Sequence, residues 1–191
     1  MACTCLLLFA CASQAPRPRS DIRPAASPEA LTNLRRQDAL WLERVGFGVD
    51  SVMVKDYRRL GRTRWLDQQL GAHDETLPPA IAAQLQNMEV SHLDAQHLLA
   101  DVQARQKAIN AMADGPDRES ARRTLNDSGN RAAYDSIRRQ LLRAVYSPNQ
   151  LREQMVWFWL NHFSVYQYKS NLRWLIGDYE ETAIRPYALG H

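Results

Sequence analysis

The stretch Ser147–Lys169 constrains this chain most, because no other segment is so apolar and so clearly bounded. Ser147 is a favoured N-cap residue, and Pro148 suits the first helical position, where its missing N–H is not needed. Apolar side chains then recur at three- and four-residue spacing and cover nearly every side of the expected helix. A helix that is apolar nearly all round is normally buried. We therefore predict a buried central helix over 147–169, with Trp159 inside the core.

The rest of the chain predicts further helices and no sheet. Residues that begin and end helices recur along it, such as Asp50 before one short helix and Gly61 after it. The turn-like run Asn126–Asn130 predicts a break between two helices, and Asp178 is placed to cap a last helix. The sequence contains no sustained alternation of β-branched and polar residues. The fold class is therefore predicted to be all-α, with several helices packed around the central one.

The size and charge of the chain limit its class. With 191 residues, of which 45% are hydrophobic, it has the length of one domain and can bury a sizeable core. The net charge is only +3, and the arginines that dominate the basic residues are spread along the chain. A nucleic-acid-binding protein normally concentrates its basic residues in a patch. We therefore expect no nucleic-acid partner.

The first eleven residues indicate export. All three cysteines lie there, and the run Leu8–Cys11 is similar to a lipobox, at which bacteria cleave before a cysteine and attach lipid to its sulfur. The alternative is a non-specific apolar N-terminus, since no Lys or Arg precedes the run. The predicted organisation is a signal-like segment (1–11), a disordered Pro- and Arg-rich tether (12–28) and a helical domain (29–191). The protein is thus expected to be a periplasmic or outer-membrane lipoprotein that contacts the membrane only through lipid on Cys11.

Several segments resemble one known family. Leu42–Gly48 and Trp65–Leu70 are similar to the opening of the bacterial domain of unknown function 1800 family, Gln150–Phe163 to its central helix, and Tyr179–Gly190 to the segment that follows. The resemblance implies an exported, mainly helical bacterial protein, and it carries over no catalytic residues. Tyr187 stands where many members have histidine. Members continue far beyond this region, so the chain resembles the N-terminal portion only, and we expect it to be truncated at its C-terminus.

His162 is the main candidate for chemistry, since it is expected on the apolar stripe of the central helix. Histidine can act as a general base or a metal ligand, and Glu180 or Glu181 can bind one ring nitrogen and orient the ring if the following segment folds back. The alternatives are a core histidine bonded to its neighbours and a surface ion pair between Glu181 and Arg185 at i,i+4 spacing. These residues lack a diagnostic metal-ligand spacing, so no metal and no cofactor is assigned.

Aromatic and polar side chains of the same region are candidates for binding. Trp157 and Tyr166 can floor a groove for sugar rings or a peptide, and Asn161 and Arg185 can orient a ligand there. Packing in the core is the alternative for the aromatic side chains, and hydrogen bonding to a helix end or loop is the alternative for Asn161.

Two functions are compatible with these residues. The first is a non-catalytic envelope module that docks a secreted protein or polymer. The second is an exported hydrolase that acts on an envelope or extracellular polymer through His162 with Glu180 or Glu181. The first is favoured, because no nucleophile, metal-binding or phosphate-binding motif is evident in the sequence.

Overall fold

A computed structural model describes residues 34–71, 77–92, 94–166, 169 and 171–190. Over these ranges the chain is all-α, as predicted, and contains no β-strand. The helices are α1 (Arg36–Val45), α2 (Ser51–Leu60), α3 (Arg62–Leu70), α4 (Pro79–Gln86), α5 (Ala95–Ala111), α6 (Pro116–Tyr146), α7 (Gln150–His162) and α8 (Leu172–Tyr179). A 3₁₀ turn, Glu89–Ser91, lies between α4 and α5. A π-helical turn, Glu180–Ile184, and a 3₁₀ turn, Arg185–Tyr187, continue α8.

The predictions for the N-terminus are outside the part of the chain that the structure describes. The signal-like segment (1–11), its Cys11 and the tether (12–28) all precede residue 34. Among the helices described, none is both long and apolar enough to span a bilayer.

Capping chemistry places α2 where the sequence predicts it. The Asp50 carboxylate accepts hydrogen bonds from the backbone N–H groups of Val52 and Met53, both at 2.8 Å, and α2 begins there. Gly61 ends α2 with a φ of 75°, which glycine adopts without steric cost. The first three helices enclose a small core of Leu42, Met53, Tyr57 and Trp65.

The predicted break at Asn126–Asn130 is wrong, because α6 runs through it without interruption. The residues that resemble a turn instead form the contact with α8. The Ser128 hydroxyl accepts a hydrogen bond from the Trp174 indole at 3.2 Å. At Gly129, a Cβ atom would lie only 2.8 Å from Cε2 of Trp174, so the absent side chain lets the two helices approach. A local run of turn residues is thus explained by a long-range contact.

The prediction of a buried central helix over 147–169 is also wrong. Ser147 caps the end of α6, and α7 begins at Gln150 and ends at His162. Of the 13 residues of α7, three are buried: Gln150, Glu153 and Val156. They lie three residues apart, so one face of α7 packs against the rest of the described chain, while Trp157 and Phe158 are exposed.

Trp159 is half-buried rather than fully buried as predicted. Its indole N–H donates a hydrogen bond to the carbonyl oxygen of Ala188 at 3.1 Å, and its ring packs beside a core of Val156, Ile184 and Ala188. The ring therefore covers the edge of this core and does not fill its centre.

The last helix does not begin at Asp178 as predicted. Asp178 lies inside α8, and the chain stays helical through the π-helical turn to Ile184. The turn buries Glu180 and is followed by the buried Arg185. Because the chain stays helical beyond α8, Glu180 and Arg185 lie in the interior.

Candidate functional site

A cluster of arginine and glutamate side chains connects α6, α7 and the turns that follow α8. It combines three arginines with three glutamates, so their formal charges cancel when all are ionised. The members are Arg139 and Arg143 of α6, Glu153 of α7, Glu180 and Glu181 of the π-helical turn, and Arg185.

Arg185 is the centre of this cluster. Its Nη1 and Nη2 atoms donate to the two carboxylate oxygens of Glu153 at 2.9 and 3.0 Å, and Nη2 also donates to Oε1 of Glu180 at 2.7 Å. The three side chains are only 6%, 2% and 4% exposed. Two-pronged binding of a carboxylate by arginine is strong and directional. The predicted i,i+4 pair with Glu181 is present, with Nε of Arg185 3.5 Å from Oε1 of Glu181, but its predicted surface location is wrong, because Arg185 is buried and has Glu153 and Glu180 as closer partners.

Both arginines of α6 contact Glu181, and Arg139 also binds the neighbouring backbone. Arg143 binds both carboxylate oxygens of Glu181, with Nη2 and Oε2 3.3 Å apart. Arg139 donates to the carbonyl oxygens of Gly177 at 2.6 Å and Val90 at 3.3 Å, and its Nη2 lies 3.4 Å from Glu181. These ion pairs and hydrogen bonds hold α6, α7 and the turn after α8 together, so we assign the cluster a structural role.

Burial and charge act differently on the carboxyl groups of the cluster. Burial raises the pKa of Glu180 above its ordinary value, against the opposing effect of Arg185. Burial acts in the same direction on Glu181, but the hydrogen bond and charge of Arg143, together with the charges of Arg139 and Arg185, hold the pKa of Glu181 below its ordinary value. Of these two groups, Glu180 therefore takes up a proton at the higher pH.

The structure does not bring His162 together with either predicted carboxylate. His162 is exposed, and its ring stacks on Phe158 with the ring centres 5.6 Å apart and the planes at 18°. It also contacts Phe163 edge-on at 5.4 Å. Glu180 is bound by Arg185, and Glu181 is bound by Arg143. The expected histidine–carboxylate pair is thus not formed, because each carboxylate has a nearer cationic partner.

Four of the predicted site residues instead line one groove. Trp157 and Asn161 of α7, Tyr166 just after α7, and Glu180 border a groove of about 350 Å³ between α6, α7 and α8. The Trp157 side chain is 49% exposed and Tyr166 is 64% exposed. The two aromatic residues are thus available at the groove and are not core residues.

The polar groups of the groove differ in whether they have hydrogen-bond partners. Asn161 donates its amide N–H to the carbonyl oxygen of Trp157 at 2.7 Å, which leaves its side-chain oxygen as an acceptor. Gln140 of α6 also lines the groove, and its amide nitrogen is buried without a hydrogen-bond partner among the described residues. That nitrogen is closed to solvent, so, of these two groups, the accessible polar atom at the groove is the side-chain oxygen of Asn161.

Comparison with known proteins identifies the family. The family model for a protein of unknown function (DUF1800) matches residues 40–191. This chain belongs to the DUF1800 family. No curated protein and no solved structure matches it. The match covers all of the charged cluster and the whole groove, so both features lie within the DUF1800 region.

Sequence reasoning missed three members of the charged cluster of this DUF1800 chain, Arg139, Arg143 and Glu153. Arg139 and Arg143 were not singled out, although they lie four residues apart on the same face of α6 as the buried Ala133 and Ser136. A charged residue that shares a helix face with small residues such as alanine and serine is the sequence signal for a buried charge. Within the described residues, no group of three or more histidine, cysteine or acidic side chains is arranged to hold a metal ion.

Proposed function

We propose that this DUF1800 chain is a non-catalytic binding module whose groove between α6, α7 and α8 docks a secreted protein or polymer. One observation carries the proposal: two exposed aromatic residues, Trp157 and Tyr166, border the same groove as the side-chain amide of Asn161. Aromatic side chains gain much contact area when a ligand covers them. A few polar groups in a largely apolar groove then fix the orientation of the ligand.

The hydrolase alternative lacks a comparable observation. A histidine that acts as a base needs a partner to orient its ring, and His162 contacts aromatic rings instead. Glu180 borders the groove, but its carboxylate is bound by Arg185. We therefore propose no reaction for this site.

Export through a lipid anchor is part of the same proposal, and the lipobox-like run Leu8–Cys11 supports it. Radiolabelled palmitate is expected to enter the protein expressed in a bacterium with a lipoprotein export pathway. In Cys11→Ala the label is expected to disappear, and the protein is expected to leave the membrane fraction, because the acceptor sulfur is gone. Cys5→Ala is the matched control and should keep both label and location. Equal labelling of Cys11→Ala and the parent would rule out this anchor.

Replacing Trp157 by alanine is expected to weaken ligand binding by about tenfold or more, since truncating a central aromatic side chain of an interface often costs over 1.4 kcal/mol. The fold is expected to persist, because Trp157 is half-exposed. Co-sedimentation with purified envelope polymer and pull-down of secreted proteins measure the binding.

The matched control for this test is Tyr187→Ala. Tyr187 is similarly exposed, at 60%, but does not line the groove. It should bind like the parent. Binding that falls equally in both variants, or in neither, would contradict the groove as the docking site.

A further inference from the structure

One face of α6 next to the groove is apolar and exposed. Four side chains make up this face, spaced three or four residues apart: Tyr134, Ile137, Leu141 and Val145. They extend about 16 Å along the helix at 1.5 Å per residue. Ile137 also lines the groove, so the apolar face and the groove are continuous. Among the described residues these four are 45% to 66% exposed, and contiguous exposed apolar surface of this kind marks interaction sites.

A single positive charge lies within this face. Arg138 is exposed, four residues after Tyr134 and three before Leu141, and it forms no ion pair or hydrogen bond within the described residues. The adjacent acid on α6, Asp135, lines a different cleft, against α5. Any occupant that covers the apolar face also removes Arg138 from water. Such a charge has to be matched by a carboxylate, or the occupant is disfavoured.

The chemistry of the face selects one kind of occupant. Aliphatic side chains such as Leu141 and Val145 offer nothing to the hydroxyl groups of a sugar polymer. Apolar anchors at three- and four-residue spacing match those of an amphipathic helix laid along α6. An apolar side chain of that helix can enter the groove beside Ile137.

A second copy of the chain fits less well. Arg138 lies near the middle of the 134–145 face, so a two-fold axis through that face would set Arg138 close to Arg138 of the other copy. Like charges facing each other in an interface oppose association. The charge pattern therefore favours a different protein that supplies the acid.

We propose that the Tyr134–Val145 face of α6 docks an amphipathic helix of a partner protein that places an acidic side chain opposite Arg138. This inference rests on the proposed binding function and names the class of its partner. It predicts that affinity depends on the sign of one charge on the partner helix.

Two fluorescein-labelled synthetic helices test this inference. Each has about 18 residues, or five turns, with leucines at three- and four-residue spacing. One has a single glutamate at the centre of its apolar face, and the other has lysine there. By fluorescence anisotropy, the full chain is expected to bind the glutamate peptide about tenfold more tightly, the lower end for close charge pairs across an interface. Arg138→Glu is expected to reverse this preference, and Arg138→Gln to abolish it.

The controls keep this inference separable from the proposed function. Arg138 is exposed, so both variants should match the parent in circular dichroism and melting temperature. Equal binding of the two peptides, or none, would overturn the helix partner even where Trp157→Ala still reduces binding of the natural ligand. Light scattering that shows a dimer which Arg138→Glu alters would overturn it in favour of self-association. Displacement of the peptide by phosphatidylglycerol vesicles would overturn it in favour of a membrane surface.

Discussion

Replacing Arg185 by methionine is expected to lower the free energy of unfolding by about 3 to 5 kcal/mol, because removing one partner of a buried ion pair leaves an uncompensated charge. Arg185 binds Glu153 at 2.9 Å and Glu180 at 2.7 Å, and all three side chains are buried. Methionine keeps much of the length of the side chain without its charge. Urea unfolding, followed by circular dichroism, measures the loss.

Two comparisons show whether charge causes this loss. Arg59→Met removes an exposed pair with Asp56, 3.1 Å apart, and should cost no more than about 1 kcal/mol. Adding Glu153→Gln to the Arg185→Met chain should recover part of the stability, since one unpaired carboxylate is removed.

The loss in Arg185→Met should also depend on pH. Burial already raises the pKa of Glu180, and without the opposing charge of Arg185 that pKa rises further above its unfolded value, so the folded variant binds a proton more readily than the unfolded chain. Stability of the variant then falls as pH rises through that folded-state pKa, and the deficit relative to the parent is larger at neutral than at mildly acidic pH. A deficit that is the same at every pH would show that packing, rather than charge, is lost.

Gly177→Ala is expected to destabilise the fold by about 1 to 3 kcal/mol, the usual cost of an added methyl group in a packed interior. Gly177 is buried where α8 crosses α6. A Cβ atom there would lie 2.5 Å from Cγ2 of Val90 and 2.6 Å from Oγ of Ser136. Alanine is the better helix former by about 1 kcal/mol, so crowding has to exceed this gain for the predicted sign. Thermal and urea unfolding measure the difference.

Gly48→Ala is the matched control for Gly177→Ala. A Cβ atom on Gly48 meets nothing within 4 Å, and the change should alter stability by less than about 0.5 kcal/mol. A Gly177→Ala chain as stable as the parent would mean that α8 moves away from α6 at no cost, so the close crossing would not matter for the fold.

Local chemistry made much of the fold predictable from sequence. The all-α class follows from the spacing of apolar residues, and the bounds of α2 follow from Asp50 and Gly61. Both signals act within one or two turns of the chain, so neighbours in sequence are enough to read them. For the same reason Trp157 and Tyr166 could be chosen as binding candidates. Their side chains are large and apolar whatever surrounds them, and the structure places both at the groove.

The tertiary structure alone decided which side chains are buried. Trp157, on a helix predicted to be buried, is half-exposed, while Arg139, on a helix with no predicted central role, is 2% exposed. Apolarity indicates that a side chain gains by burial, but contacts between distant segments determine which side chains obtain it. Arg185 and Glu153 are 32 residues apart, and each is stable inside only because the other is there. The spacing of neighbouring residues carries no information about a pair so far apart in the sequence, so the charged cluster is evident only from the packed helices.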